Sequence, residues 1–220
     1  MNKSYELIIF DCDGTLIDSE HVNIKSISEI LLSIGFDQFD YDNTMRIFTG
    51  CSVKTLEAEL TKLEVKNPFV ILEQMHKRSI ELAKSELKAI NGAHELVSNL
   101  KIPFAMATNG ERLMVDSYLE IVGLRKYFPN EIIFSRADVK NPKPAPDLYL
   151  LAAKKMGVLS EKCLVIEDSV IGVTAAVNAA MDVVGFVGGS HHARVNNKDK
   201  LMEAGAKYTV SNLIDVNKFL

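Results

Sequence analysis

The chain has 220 residues, of which 47% are hydrophobic and 25% are charged, and its formal net charge is −4. This balance is typical of a globular protein with a full core. The negative charge argues against a nucleic-acid or anionic-membrane binder, and no apolar run is long enough to span a bilayer.

Cysteine usage and the first residues indicate the compartment. No two of the three cysteines are spaced as Cys-x-x-Cys, so neither a disulfide framework nor a zinc site is indicated. The segment from Met1 to Phe10 is too short for a secretory signal, and Asp11 follows it at once. We expect a cytoplasmic monomer with no nucleic-acid or membrane partner.

The first predicted strand ends in a pair of acids. The apolar run from Leu7 to Phe10 leads directly into Asp11 and Asp13, and Gly14 then allows a turn. Side chains two apart on a strand point the same way, so both acids would project from one face. Such a pair suits Mg²⁺ binding, or a nucleophile beside an acid/base. An ordinary acidic turn is the alternative.

Residues 17 to 88 show helical periodicity without a strand pattern. Apolar residues recur at helical spacing from Ile24 to Ile34, from Val53 to Leu63 and from Pro68 to Lys88. The first of these segments stops at Gly35, a typical helix end. We predict that this block is an all-helical domain inserted after the first strand.

From Asn91 onward, strands and helices alternate. The predicted strands are Ile102–Ala107, Glu131–Phe134, Cys163–Ile166, Val183–Val187 and Tyr208–Val210. Because these strands are apolar throughout, they favour a parallel sheet covered by helices on both faces. We therefore predict an α/β fold with a Rossmann-like parallel sheet formed by residues 1–16 and 89–220, and residues 17–88 as the inserted domain.

Polar side chains follow several of these strands or lie in a proline-rich loop near them. The residues are Asp11, Asp13, Thr108, Asn109, Lys143, Glu167 and Asp168. Ligands of such sheets bind at the carboxyl ends of the strands. Carboxylates suit Mg²⁺, and a hydroxyl and an ammonium suit phosphate oxygens, so the set meets the needs of phosphoryl transfer.

Several of these residues also have a structural alternative. Thr108 could be only a helix N-cap, and Lys143 could be a solvated loop lysine. Glu167 to Ser169 could cap the helix that follows.

The motifs, in this order and spacing, resemble those of the haloacid dehalogenase superfamily, in the branch with a helical cap after the first motif. Asp11 to Thr15 matches its DxDGT signature, Thr108 its second motif, Lys143 its third and Glu167-Asp168 its fourth. The resemblance covers nearly the whole chain.

Two segments are similar to a narrower group. Ser85 to Ala93 and Glu167 to Gly172 resemble the small sugar-phosphate phosphatases near the beta-phosphoglucomutases, of the 6-phosphogluconate phosphatase type. The resemblance implies a Mg²⁺-dependent phosphatase that acts on a small phosphorylated metabolite.

The resemblance also implies roles for the site residues. Asp11 would be the nucleophile that becomes an aspartyl-phosphate, and Asp13 the acid/base. Mg²⁺ would be held by Asp11, the backbone carbonyl of Asp13 and Asp168, with Glu167 binding directly or through water. The phosphoryl oxygens would be held by Thr108, Asn109 and Lys143.

The inserted domain bears on the choice between a phosphatase and a mutase. The segment from Thr49 to Lys54 resembles the cap loop that reaches the active site in this family. The mutases carry an arginine where this chain has Val53, and a histidine where it has Asn23. Both differences favour hydrolysis and leave a beta-phosphoglucomutase-type mutase as the alternative. Residues that could contact the substrate are His21, Lys25, Arg46 and Lys54.

Two further expectations complete the interpretation. A receiver-type signalling domain also uses an aspartate phospho-acceptor, but it is shorter and lacks the helical insertion. The segment from Gly188 to His192 has paired histidines without a third ligand at metal-site spacing, so we expect a surface loop at the rim of the site.

Overall fold

A computed structural model describes residues 4–49, 51, 53–194 and 197–220. Gly50 and Ser52 of the expected cap loop lie outside these residues. The chain forms two compact units, one made of the segment up to Asp18 and the segment from Lys88 onward, and the other of Ser19–Leu87.

The first unit contains a six-stranded parallel sheet. Its strands are β1 (Leu7–Phe10), β2 (Phe104–Thr108), β3 (Ile133–Ser135), β4 (Cys163–Glu167), β5 (Asp182–Phe186) and β6 (Tyr208–Val210). They lie in the order β3-β2-β1-β4-β5-β6, and Ile9 pairs with Ala105 on one side and with Val165 on the other. The predicted α/β fold is confirmed.

The helices account for about half of the remaining described chain. They are α1 (Glu20–Ser33), α2 (Tyr41–Phe48), α3 (Val53–Lys62), α4 (Pro68–Glu86), α5 (Ala93–Asn99), α6 (Arg112–Ile121), α7 (Asp147–Met156), α8 (Val170–Asn178) and α9 (Lys198–Glu203). Among the described residues, no helix is both long enough and apolar enough to cross a bilayer.

Burial on both faces explains why the strands are apolar throughout. Every residue of β1, β4 and β5 is buried. Ile9 and Val165 share a core cluster with Leu148 of α7 and Val173 of α8. Packing of this kind fixes the carboxyl ends of the strands, where the polar residues begin.

The 19–87 unit has a core of its own. Helices α1 to α4 bury Ile24, Leu31, Phe39, Leu60 and Met75 in one cluster. In the described part of this unit all regular elements are helices, as the periodicity indicates.

Three strands start at other residues than the sequence pattern suggests, and of these β2 begins at Phe104, two residues after the predicted Ile102. β5 begins at Asp182, which is 8% exposed and whose carboxylate accepts from Tyr5 at 2.8 Å and pairs with Lys207 at 2.6 Å. A buried acid can open an apolar strand because these donors satisfy it. β3 begins later than predicted because a 3₁₀ turn occupies Asn130–Ile132.

The expectation of a surface loop at Gly188 to His192 holds for Gly188 and Ser190, which are exposed, but it is wrong for the two histidines. The chain forms a 3₁₀ segment over Ser190–Arg194, and His191 and His192 are only 7% and 8% exposed. The side chain of Asp18 accepts from the Ser190 hydroxyl at 2.7 Å, which holds the segment against the start of the chain. The sequence pattern shows the glycines and polar residues of a loop, but not this anchor.

Candidate active site

The acids lie where the strand order of the sheet reverses. β1 and β4 are adjacent, with the later strands on one side and β2 and β3 on the other, and such a switch point is where ligands bind in open α/β sheets. Asp11 follows β1, Glu167 ends β4, and Asp168 follows it. All three are buried.

Lys143 places a buried ammonium group between two of these carboxylates. Its Nζ lies 2.6 Å from Asp11 Oδ1 and 2.8 Å from Glu167 Oε2, and the residue is 6% exposed. Burial opposes the charged form of Lys143, but Asp11 and Glu167 raise its pKa well above the usual value. The lysine is therefore a fixed cation, and not a solvated loop residue.

Glu167 is enclosed by donors on both of its oxygens. Oε2 accepts from Lys143 and from the Tyr149 hydroxyl at 2.7 Å. Oε1 accepts from the Ser169 hydroxyl at 2.8 Å and the Ser169 amide at 3.1 Å. Burial favours the neutral acid, but Lys143 and the other donors lower the pKa of Glu167, so its carboxylate is ionised.

Asp11 lies in an excess of negative charge. Burial and the neighbouring Glu167 raise the pKa of its carboxyl group well above the usual range, Lys143 opposes this, and Asp168 adds to it. Three carboxylates thus lie close together, and one ammonium group bonds to two of them. An additional cation at this point would favour the ionised form of Asp11.

Asp168 is held by residues from two other segments. The Thr15 hydroxyl lies 3.2 Å from Asp168 Oδ1, and His191 Nε2 lies 3.0 Å from Oδ2. Gly14 has a φ of +81° and lies so close that a Cβ there would overlap the Asp168 carboxyl group. The glycine of the acidic turn is thus required both by its backbone conformation and by the space that Asp168 occupies.

Asp13 and Thr108 both lie close to Gly110. A Cβ placed on Gly110 would be 3.1 Å from Asp13 Oδ2 and 3.2 Å from Thr108 Oγ1. The Thr108 hydroxyl also accepts from the Gly110 amide at 2.9 Å. Asp13 is half-buried, whereas Thr108 is buried at the end of β2.

Asn109 is tied to the backbone of the lysine loop. Its Oδ1 accepts from the Lys143 amide at 3.0 Å, and its Nδ2 donates to the Lys143 carbonyl at 3.1 Å. This pair of hydrogen bonds joins the end of β2 to the loop before α7. These two bonds use the Asn109 oxygen and one of its two N–H groups, so the second N–H can still donate.

The carboxylate cluster fits a hard divalent cation. One oxygen each of Asp11, Glu167 and Asp168 lie within 4.8 Å of one another, and all three residues are buried. Carboxylate oxygens at a buried site with excess negative charge are the ligands that Mg²⁺ prefers.

The structure brings the predicted site residues to one edge of the sheet, and it adds others that the sequence interpretation did not identify as site residues. The added residues are Tyr149, Ser169, His191 and His192. A buried tyrosine hydroxyl normally needs a partner, but nothing in the sequence identifies Glu167 as that partner.

The residues proposed as substrate contacts in the 19–87 unit fall into two groups. His21 lies 2.6 Å from the Tyr41 hydroxyl and 3.2 Å from Glu86, and Lys25 pairs with Glu86 at 2.6 Å. These residues form one polar network. Arg46 and Lys54, by contrast, are exposed.

Comparisons with known proteins identify the family of the chain. The sequence model of the family of haloacid dehalogenase-like hydrolases matches residues 8–186. A 6-phosphogluconate phosphatase of Escherichia coli is 32% identical over 191 residues, which is 85% of each chain. A phosphorylated carbohydrates phosphatase of Thermotoga maritima is 33% identical over 209 residues, 91% of this chain and 92% of that one.

Among solved structures, one from Thermotoga maritima, assigned provisionally as a beta-phosphoglucomutase, superposes with a TM-score of 0.79 at 29% identity. The superposition covers 97% of this chain and 98% of the Thermotoga maritima chain. The chain belongs to the haloacid dehalogenase-like hydrolase family. The predictions of this family and of a phosphatase of its type are confirmed, and the relatives include phosphatases of sugar phosphates.

Proposed function

We propose that this hydrolase is a Mg²⁺-dependent phosphatase that acts on a small phosphorylated sugar or sugar acid, with 6-phosphogluconate-like compounds as the first candidates. The observation that carries the proposal is the buried Lys143 ammonium bonded to both Asp11 and Glu167, with Asp168 beside them. The fixed ammonium of Lys143 lies next to Asp11 at the end of β1, and this arrangement suits a role of Asp11 as the nucleophile that attacks phosphorus.

Asp11 and Asp13 divide the chemistry between them. An oxygen of Asp11 forms a bond to phosphorus while the ester oxygen leaves, and Asp13 gives that oxygen its proton. Asp13 then takes a proton from water, which attacks the aspartyl-phosphate, and the bond to Asp11 breaks to release phosphate. Asp13 is half-buried and lies near Thr108. This partial exposure suits a group that exchanges protons with water.

The cation would be held by Asp11, Asp168 and the backbone carbonyl of Asp13. When bound, Mg²⁺ would offset the charge that develops on the phosphoryl oxygens. We assign Glu167 to holding Lys143 and not to direct metal contact. An ionised carboxylate has about four acceptor sites, and Lys143, Tyr149 and the two donors of Ser169 occupy that many.

Lys143 and Thr108 are assigned to the phosphoryl oxygens. The ammonium is the fixed positive group nearest Asp11, and the buried Thr108 hydroxyl can donate to an oxygen while it accepts from Gly110. Asn109 fixes the loop that carries Lys143, and its second N–H is available for the phosphoryl group.

The substrate class is supported by the relatives, which act on 6-phosphogluconate and on phosphorylated carbohydrates. We further propose that the helical domain predicted over residues 17–88 acts as a cap that excludes water and contacts the part of the substrate beyond the phosphate. Its network of His21, Lys25 and Glu86 offers both charge signs to hydroxyl or carboxylate groups.

The mutase is the second candidate, because a provisionally assigned beta-phosphoglucomutase shares the fold over nearly the whole chain. Val53 and Asn23 replace the arginine and histidine that the mutases carry at these places. We therefore expect hydrolysis to dominate over isomerisation.

The experiment measures phosphate release from a panel of sugar phosphates, with Mg²⁺ and with EDTA. We expect release that requires Mg²⁺ and that falls at least about 1,000-fold in Asp11→Asn, because the nucleophile is lost. Asp37→Asn, at an exposed acid, is the matched control and should retain the rate. Isomerisation without release would establish the mutase, and release by Asp11→Asn near the wild-type rate would contradict the assigned nucleophile.

A further inference from the structure

Two histidines meet the carboxylate of Asp168 on the side where the 190–194 segment packs. His191 Nε2 lies 3.0 Å and His192 Nε2 lies 3.9 Å from Asp168 Oδ2. One ligand atom from each of the three residues lies within 4.8 Å of the others, and all three residues are buried. Asp168 thus supplies the third ligand that the sequence spacing did not show.

We propose that Asp168, His191 and His192 form a second metal site, which takes a late first-row divalent ion such as Zn²⁺. Two imidazoles and a carboxylate are a ligand set that Zn²⁺ accepts in an open tetrahedral site, with a water in the fourth position. Imidazole nitrogen favours Zn²⁺, Co²⁺ and Ni²⁺ over Mg²⁺, so the site would not be filled by the ion proposed for Asp11.

Two of the three donor separations are close to those of such a site. With Zn–N and Zn–O bonds of about 2.1 Å, the edge of a tetrahedron is about 3.4 Å. The two separations to Asp168 Oδ2, 3.0 Å and 3.9 Å, lie on either side of this value. Small rotations of the two rings, whose centres are 3.9 Å apart, would equalise them.

His192 provides an independent sign that a ligand belongs here. Its side chain is 3% exposed, and its Nε2 has no hydrogen-bond partner within the described chain. A buried polar nitrogen in this state is costly unless a ligand satisfies it.

The surroundings of the histidines can support metal binding. His192 Nδ1 lies 3.1 Å from Asn197 Nδ2. A metal on Nε2 requires the proton on Nδ1, and a flip of the Asn197 amide would present its oxygen as the acceptor. The Ser190 hydroxyl, bonded to Asp18 at 2.7 Å, fixes the start of the segment that carries both histidines.

The consequence concerns control of the enzyme. An ion at this site would bind the carboxylate of Asp168, which the proposed function assigns to Mg²⁺. We expect Zn²⁺ and Mg²⁺ to compete through this shared residue.

The test uses Co²⁺ as a spectroscopic probe on protein that has been stripped with EDTA. We expect the wild type to develop the strong visible absorption of tetrahedral Co²⁺, and Zn²⁺ to remove it. His192→Gln and His191→Gln should each weaken binding more than about 10-fold. His94→Gln, at an exposed histidine outside the cluster, should bind as the wild type does.

Three results would overturn the site. They are a wild-type spectrum that shows only weak octahedral Co²⁺, a sulfur-to-cobalt charge-transfer band that assigns the ion to a cysteine, and equal affinity in folded His192→Gln. The wild-type spectrum decides the matter even if both histidine variants fail to fold. Because the readout is binding, it is independent of the proposed phosphatase reaction.

Discussion

Replacing Lys143 by Met tests the central arrangement of the site. The ammonium is 6% exposed and bonds Asp11 at 2.6 Å and Glu167 at 2.8 Å. Met has a similar length but no charge, so both carboxylates would stay buried without their cation. Removal of one partner of a buried ion pair costs about 3–5 kcal/mol, and we expect a loss of that size in the free energy of unfolding near neutral pH.

The loss should depend on pH with a defined sign. Burial and Glu167 already raise the pKa of Asp11 above its ordinary value of 3.8, and Lys143 is the group that opposes them. Without it, the folded variant would hold a proton on this acid at a pH where the unfolded chain has released it. Stability of the variant should therefore fall as pH rises from 3.8 through the raised value. The wild type should lose less over this range, because Lys143 limits the rise in the pKa of Asp11.

The assay is urea unfolding followed by circular dichroism at about pH 5 and about pH 8. EDTA is present so that no divalent ion replaces the ammonium. Lys140→Met is the matched control, because Lys140 lies in the same loop but is exposed. A Lys143→Met loss under about 1 kcal/mol, or one equal to the control and unchanged with pH, would refute the reasoning.

Two further predictions concern the donors to Glu167. Tyr149→Phe removes a buried hydroxyl 2.7 Å from Oε2 and should cost about 1.5–3 kcal/mol. Because the pKa of Glu167 is lowered from its ordinary 4.5, this cost should shrink as pH falls below 4.5, which urea unfolding against pH would show. Ser169→Ala removes both the bond to Oε1 and the helix cap on Gly172 and should cost about 1–3 kcal/mol in the same measurement. Equal stability of either variant and the wild type would contradict the assigned bond.

The position of the acids could be predicted from the sequence for a geometric reason. Asp11 and Asp168 each follow an apolar strand, and parallel strands end at the same edge of a sheet. The prediction needs only the strand pattern and the order of elements. The pairing of β1 with β4 then brings the two acids together without any information about loops.

The contacts that depend on the paths of loops and helices could not be predicted in this way. His191 meets Asp168 because the 190–194 segment turns back and is held by Asp18. Tyr149 meets Glu167 because α7 packs against the face of the sheet that ends there. Periodicity says which side of α7 is buried, but it does not say which strand end lies beneath it.

Gly172 gives a test in which helix propensity and the geometry of the site predict opposite results. It lies in the first turn of α8, and Gly→Ala in a helix normally stabilises by up to about 1 kcal/mol. A Cβ at this position, however, would overlap the Glu167 carboxyl group, and real Cβ atoms do not come closer than 3.0 Å to such atoms. Glu167 would have to move away from Lys143 and Tyr149.

We therefore expect Gly172→Ala to lower the free energy of unfolding in urea and the rate of phosphate release, although helix propensity alone predicts a gain in stability. The shorter acid in Glu167→Asp relieves the overlap, so the double variant should lose less than the sum of the two single losses. Such coupling assigns the effect to the contact between residues 167 and 172, because a general weakening of α8 would leave the losses additive. A Gly172→Ala protein more stable than the wild type would show that α8 lies further from Glu167, and the bonds that hold Lys143 would need another explanation.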